Sequence, residues 1–225
     1  MAEKTIEKFF SIKYNYIRKE TKEMEKENVL NRAMRDYSKV LDITQIILIS
    51  LVALLVPTFL GMLIKNIFGA NSIITANSQI IVGSIVNTAL IITALNVKGW
   101  KKIIGVITLP SISTILSGYV FKSASVYMAY MIPAIWLGNF AIVYLYKKLL
   151  LEKKWNYFLT GIIAIVVKVA IIFGGFSILN AFGIFPTKLV QNLQTAMGAT
   201  QAITATIGMI IAYTVYFANK RSIKE

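Results

Sequence analysis

The sequence contains no cysteine and no histidine, and it is poor in acids, with ten Asp and Glu against 24 Lys and Arg in 225 residues. Without cysteine there is no disulfide, no thiolate nucleophile and no iron–sulfur ligation. Without histidine as well, zinc sites and Ser/His/Asp catalysis lose their usual residues. The redox compartment stays undetermined. The few carboxylates are also confined: eight fall within residues 1–42, and the other two are Glu152 and Glu225. No metal site and no cofactor is expected. An integral membrane enzyme is disfavoured, as is a secondary transporter, because proton or sodium coupling usually uses a buried carboxylate.

What is present is apolar. Hydrophobic residues make up 56% of the chain and charged ones only 15%, which moves the class to an integral membrane protein. A spanning helix needs about 20 mostly apolar residues. Six segments qualify: 43–67, 79–97, 102–119 (short and broken by Pro110), 125–146, 156–182 and 195–218. Short connections favour antiparallel neighbours, so the expected fold is all-α, a six-helix transmembrane bundle. The expected domains are an extension over 1–42, the transmembrane domain over 43–218 and a basic tail over 219–225.

The cations set the orientation. Twenty of the 24 lie in residues 1–42, in the loop with Lys98, Lys101 and Lys102, in the loop with Lys147, Lys148, Lys153 and Lys154, and in the tail. Lys65, Lys122 and Lys188 fall on the opposite side. Both termini are therefore expected in the cytoplasm of a multi-pass plasma-membrane protein. No signal-peptide pattern opens the chain. The net charge of +14 is an orientation signal in the loops, and no nucleic-acid partner is expected.

One cation remains. Lys168 sits in the middle of "GIIAIVVKVAIIFGG", residues 161–175. It lies about eleven residues past Tyr157, roughly 16 Å into the bilayer at 1.5 Å per residue. A lysine there costs roughly 2.5–3.5 kcal/mol on insertion. Gly161, Ala164, Lys168 and Gly175 share one stripe at helical spacing, which turns the lysine into the bundle. No carboxylate is available at that depth. Either backbone carbonyls satisfy the lysine, or the missing counter-ion arrives with a small anionic or carboxylate-bearing ligand.

Further polar residues are candidates for the same cavity. Asn87 lies in "VGSIVNTAL", Asn139 in "IPAIWLGNF", Ser111 and Ser113 flank Pro110, and Gln201 leads "MGATQAITATIG". Lys168, Asn139 and Gln201 are the preferred set, joined by Asn87 and Ser113. Each could equally cross-link helices or satisfy backbone groups freed by the proline. Trp136, with Tyr127, Met128, Tyr130 and Met131, could wall the pocket. The uncharged loop "FGANSIITANSQ" offers Asn71, Ser72, Asn77 and Ser78 as a lid, or forms an ordinary connection. In the extension, Leu30, Met34, Tyr37 and Leu41 recur at helical spacing, and Phe9, Phe10, Tyr14 and Ile17 form a second apolar patch. That pattern suits one or two amphipathic helices at the inner lipid interface or on a partner, or a solvated tail.

These features together resemble the S-components, the substrate-binding subunits of energy-coupling factor transporters. The closer resemblance is to short S-component-like membrane proteins with "MIPAIWLGN" (131–139), a lysine in the fifth helix and a late "AMGATQAITATIGMIIAY" (196–213). Some of those carry a hydrogenase label, which is not taken over for a chain without cysteine. The likeness covers about residues 43–218. It implies uptake of a vitamin-like nutrient, a scaffold membrane subunit and two cytoplasmic ATPases. It also implies ligand contacts near Lys168, Asn139 and Gln201 and a gate around residues 71–78. One departure is that Ser50, Ala53, Thr58 and Gly61 do not reproduce the two alanines four apart on the first helix of many S-components. The alternative from another class is a non-catalytic assembly or scaffold subunit whose Lys168 docks a partner helix or a lipid.

Overall fold

A computed structural model describes residues 2–222, with side chains described throughout 37–217 and at scattered earlier positions. The chain is all-helical, with no strand among the described residues. In order come α1 (Ala2–Phe68), the one-turn α2 (Ile73–Ala76), α3 (Ser78–Asn96) and α4 (Trp100–Ser117). Then follow α5 (Ser125–Met128) between two 3-10 turns and α6 (Ile132–Leu145), which continues as a π-helical stretch, Tyr146–Glu152. The last three are α7 (Tyr157–Ala181), α8 (Thr187–Met197) and α9 (Ala199–Ser222).

Five helical stretches are long and apolar enough to cross a membrane: Tyr37–Phe68, Ser78–Asn96, Lys122–Glu152, Tyr157–Ala181 and Thr187–Phe217. The α4 helix is not among them. It opens with Lys101 and Lys102 and carries Pro110 in its interior. Large apolar side chains such as Leu137, Ile162, Val166 and Ile210 are exposed, an arrangement that lipid tolerates and water does not.

Contacts divide the chain into residues 1–45 and 46–225. In the first unit Met34, Tyr37 and Leu41 are exposed. The side chains of Phe9, Phe10, Tyr14, Ile17 and Leu30, like residues 223–225 of the basic tail, lie outside the described residues.

In the second unit α3 packs most extensively on α9, and α6 on α7. Hydrophobic burial does not drive helix association inside lipid, so close approach through small residues has to hold the helices together. Gly208 and Gly83 supply that approach. A Cβ on Gly208 would lie 2.7 Å from Asn87 Cβ, and one on Gly83 would lie 2.9 Å from Thr204 Cγ2. Gly175 faces Ala134 in the same way, and Gly138 faces Ile172 and the Lys168 stem. The membrane half of α1 joins α4 through Thr58 Oγ1 and Ser113 Oγ, 2.7 Å apart. Gly118 ends α4 with a φ of +67°, a conformation that costs glycine nothing.

The buried apolar residues form two main clusters. One contains Leu90, Ile91, Ile142, Tyr146, Ala164 and Ala205. The other contains Met128, Met131, Ile172, Phe176, Leu193 and Met197. Lys168 occurs on α7 between Ala164 of the first cluster and Ile172 of the second. A polar layer therefore separates two apolar ones.

Candidate functional site

Lys168 is 2% exposed. Its ammonium donates to Asn87 Oδ1 at 2.6 Å and to Asn139 Oδ1 at 2.9 Å. The amides are themselves held with their oxygens towards the lysine. Asn87 Nδ2 donates to the Gly83 carbonyl at 2.9 Å and to Thr204 Oγ1 at 3.2 Å. Asn139 Nδ2 donates to the Ile107 carbonyl at 3.0 Å. An amide flipped by 180° would aim an N–H at the ammonium and leave those acceptors unmatched, so the surroundings select one orientation. The network links α3, α4, α6, α7 and α9.

Pro110 is part of the reason the network reaches α4. Its missing N–H and its ring interrupt the helical ladder and free nearby carbonyls. The break expected there does not occur, since α4 runs on through Pro110. Side chains of α6 take carbonyls just before the proline: Asn139 bonds Ile107, and Trp136 Nε1 bonds Thr108 at 3.1 Å and Ser111 Oγ at 2.8 Å. Ser111 Oγ also donates to the Thr108 carbonyl at 2.7 Å.

An ammonium has three donors and no acceptor. Two are used, and no third acceptor for Lys168 occurs among the described residues. Lys168, Asn87 and Asn139 line a cavity of about 70 Å³ together with Gln79, Gln201, Ser111 and Thr114. Val82, Val86, Phe121 and Ile135 provide apolar wall. No carboxylate lines it. Among the described residues, no group of three or more His, Cys, Asp or Glu could hold a metal ion.

Gln79 and Gln201 lie at the α8 end of this cavity. Both donate to the Ala196 carbonyl, at 3.2 and 3.4 Å respectively. Ala196 is in the last turn of α8, just before Gly198 separates α8 from α9. A Cβ on Gly198 would lie 3.2 Å from both the Gln194 carbonyl oxygen and the Phe173 ring. Leu193 and Met197 anchor α8 on the second apolar cluster.

The residues proposed from sequence separate into two groups. Lys168, Asn139, Gln201 and Asn87 come together at the cavity. Ser113 and Trp136 do not line it: Ser113 bonds Thr58, and Trp136 is spent on the backbone before Pro110. The loop residues are laced to their own segment. Ser72 caps α2 by accepting from Thr75 N at 3.0 Å, and Asn77 Nδ2 donates to Ile73 O at 2.9 Å. Asn71 is exposed, and Ser78 is buried with no partner for its hydroxyl. Sequence reasoning missed Gln79. Its signal was the spacing of four in Gln79, Gly83 and Asn87, one face of one helix.

No family model matches the sequence, and no curated protein or solved structure matches it.

Proposed function

We propose that this chain is a non-enzymatic membrane subunit that binds a small anionic or carboxylate-bearing molecule at Lys168 for uptake. Partner ATPases acting through a scaffold membrane subunit would energise it. One observation carries the reading: a buried ammonium faces a carboxylate-free cavity, and only two of its donors are used by the chain. A buried charge without a counter-ion is costly, and an entering anion supplies one, strengthened by the low local dielectric. A small-molecule site needs a few convergent polar groups in an otherwise apolar pocket. Lys168, Gln79 and Gln201 supply those groups, and the cavity of about 70 Å³ has to widen on binding, since small-molecule sites span roughly 300–1,000 Å³.

The topology belongs to the same proposal. The α4 helix makes the sixth crossing, short and with Pro110 inside it, and the cation-rich loops and both termini face the cytoplasm. The α8 end of the cavity then faces outward, with the Ala196 carbonyl and its two glutamines across the entrance. The resemblance to S-components supports the choice of uptake over export and the partners named.

A second reading has one specific observation in its favour. The Lys168 network joins five helices, which suits a purely architectural lysine in an assembly subunit. Gentle purification of the tagged chain from its native membrane, followed by mass spectrometry, tests both. Two ATPases, a scaffold subunit and a carboxylate-bearing metabolite that is lost in Lys168→Met are expected. An unrelated membrane complex with no ATPase would overturn the uptake reading.

A further inference from the structure

A second and larger cavity, about 470 Å³, opens at the other end of α7. Trp155, Tyr157, Tyr213 and Tyr216 wall it, and Lys154 lies at its edge. Its volume is within the roughly 300–1,000 Å³ of small-molecule sites. The walls are tied together: the Tyr157 ring stands 5.1 Å from Tyr213 and 5.0 Å from Tyr216, and its hydroxyl donates to the Met209 carbonyl at 2.8 Å. The backbone is shaped for the cavity as well. Two residues past the π-helical stretch Tyr146–Glu152, Lys154 has a φ of +58°, and Trp155 N reaches back to the Leu149 carbonyl at 2.9 Å. A non-glycine residue in that region is uncommon and stores strain.

The charges indicate what fits. Lys147 donates to the Val97 carbonyl and Lys148 pairs with Glu152. Lys154 has no hydrogen-bond or ion-pair partner among the described residues. Its charge disfavours a cationic guest in the aromatic cavity and favours an anionic one. Next to the cavity, Phe158, Ile162 and Val166 are exposed at a spacing of four along α7. They make an apolar track that continues away from the lysine.

We propose that this cavity seats the phosphate-bearing headgroup of an anionic phospholipid. Lys154 meets the phosphate, the tyrosines and Trp155 wall the glycerol region, and an acyl chain follows Phe158, Ile162 and Val166. Basic pockets at the lysine-rich side of membrane helices are suited to such headgroups, and amphipathic aromatic rings suit that depth.

Native mass spectrometry of the full chain, purified in detergent and incubated with phosphatidylglycerol or phosphatidylcholine, tests it. The wild type should retain phosphatidylglycerol in preference. Lys154→Asn removes the charge while keeping a residue that tolerates a positive φ, and retention should fall at least fivefold. Trp155→Leu, at an exposed position, should lower it in the same direction, while Lys188→Gln on α8 should leave it unchanged. Equal retention by Lys154→Asn, or an equal loss in Lys188→Gln, would overturn the proposal. Displacement of the lipid by millimolar glycerol phosphate would also overturn it, by assigning the cavity to a soluble anion.

Discussion

The side-chain amides of Gln79 on α3 and Gln201 on α9 meet on one acceptor, the carbonyl of Ala196 at the end of α8. Two residues that line the Lys168 cavity thereby hold the end of α8. Each such bond between membrane helices is worth about 0.6 kcal/mol, so losing both should raise local opening roughly eightfold. The double variant Gln79→Leu, Gln201→Leu should show faster amide hydrogen exchange in Thr187–Met197, with α3 and α7 unchanged. Unaltered exchange in α8 would mean that the two bonds do not latch it.

Lys168→Met separates the two readings of the site. In either reading the variant leaves the Asn87 and Asn139 amide oxygens without the donor they have now, at about 1–3 kcal/mol each. If the ammonium awaits a ligand, the empty protein also carries an uncompensated buried charge, and removing it offsets part of that cost. The expected outcome is loss of the co-purifying anion with only a modest change in Tm without ligand. A marked drop in Tm would favour the architectural lysine.

Gly208 and Gly174 should respond oppositely to the same substitution. Alanine at Gly208 would press on the Asn87 backbone, with Thr88 N at 2.9 Å, whereas nothing lies within 4 Å of a Cβ on Gly174. Gly208→Ala is expected to destabilise by about 1–3 kcal/mol and to shift Asn87 away from Lys168. Gly174→Ala should be neutral, or better by up to about 1 kcal/mol. Denaturation of the two variants in the same detergent checks the pair.

The absence of cysteine makes topology directly measurable. Lys188→Cys should react with an impermeant maleimide in intact cells. Lys101→Cys and Lys154→Cys should react only after permeabilisation. Labelling of Lys101→Cys and Lys154→Cys from opposite sides would remove α4 as a sixth crossing.

Ser113 offers a further separation. It was a candidate for the site because it follows Pro110, but its hydroxyl meets Thr58 instead. Ser113→Ala should weaken the α1–α4 contact by no more than about 1 kcal/mol and leave binding at Lys168 unchanged. A loss of binding as large as that of Lys168→Met would place Ser113 at the cavity.

Composition and periodicity by themselves determined that the chain is helical and apolar enough for a membrane. Those properties depend on which residues lie within one turn of each other. They also determined that Lys168 has no acid nearby in its own helix or its neighbours, since all ten carboxylates can be placed on sequence alone. The tertiary structure alone decided which polar groups reach the lysine. Asn87 and Asn139 are 52 positions apart, and nothing local says that both oxygens face one ammonium while Ser113, two positions past Ser111, faces another helix. That choice depends on helix rotation, set here by glycines that let α3 approach α9 and by the carbonyls around Pro110 that α6 side chains take. Pairwise contacts across more than a hundred residues, such as Gln79 with Ala196, leave no periodic trace in the chain, because their partners are selected only when the helices pack.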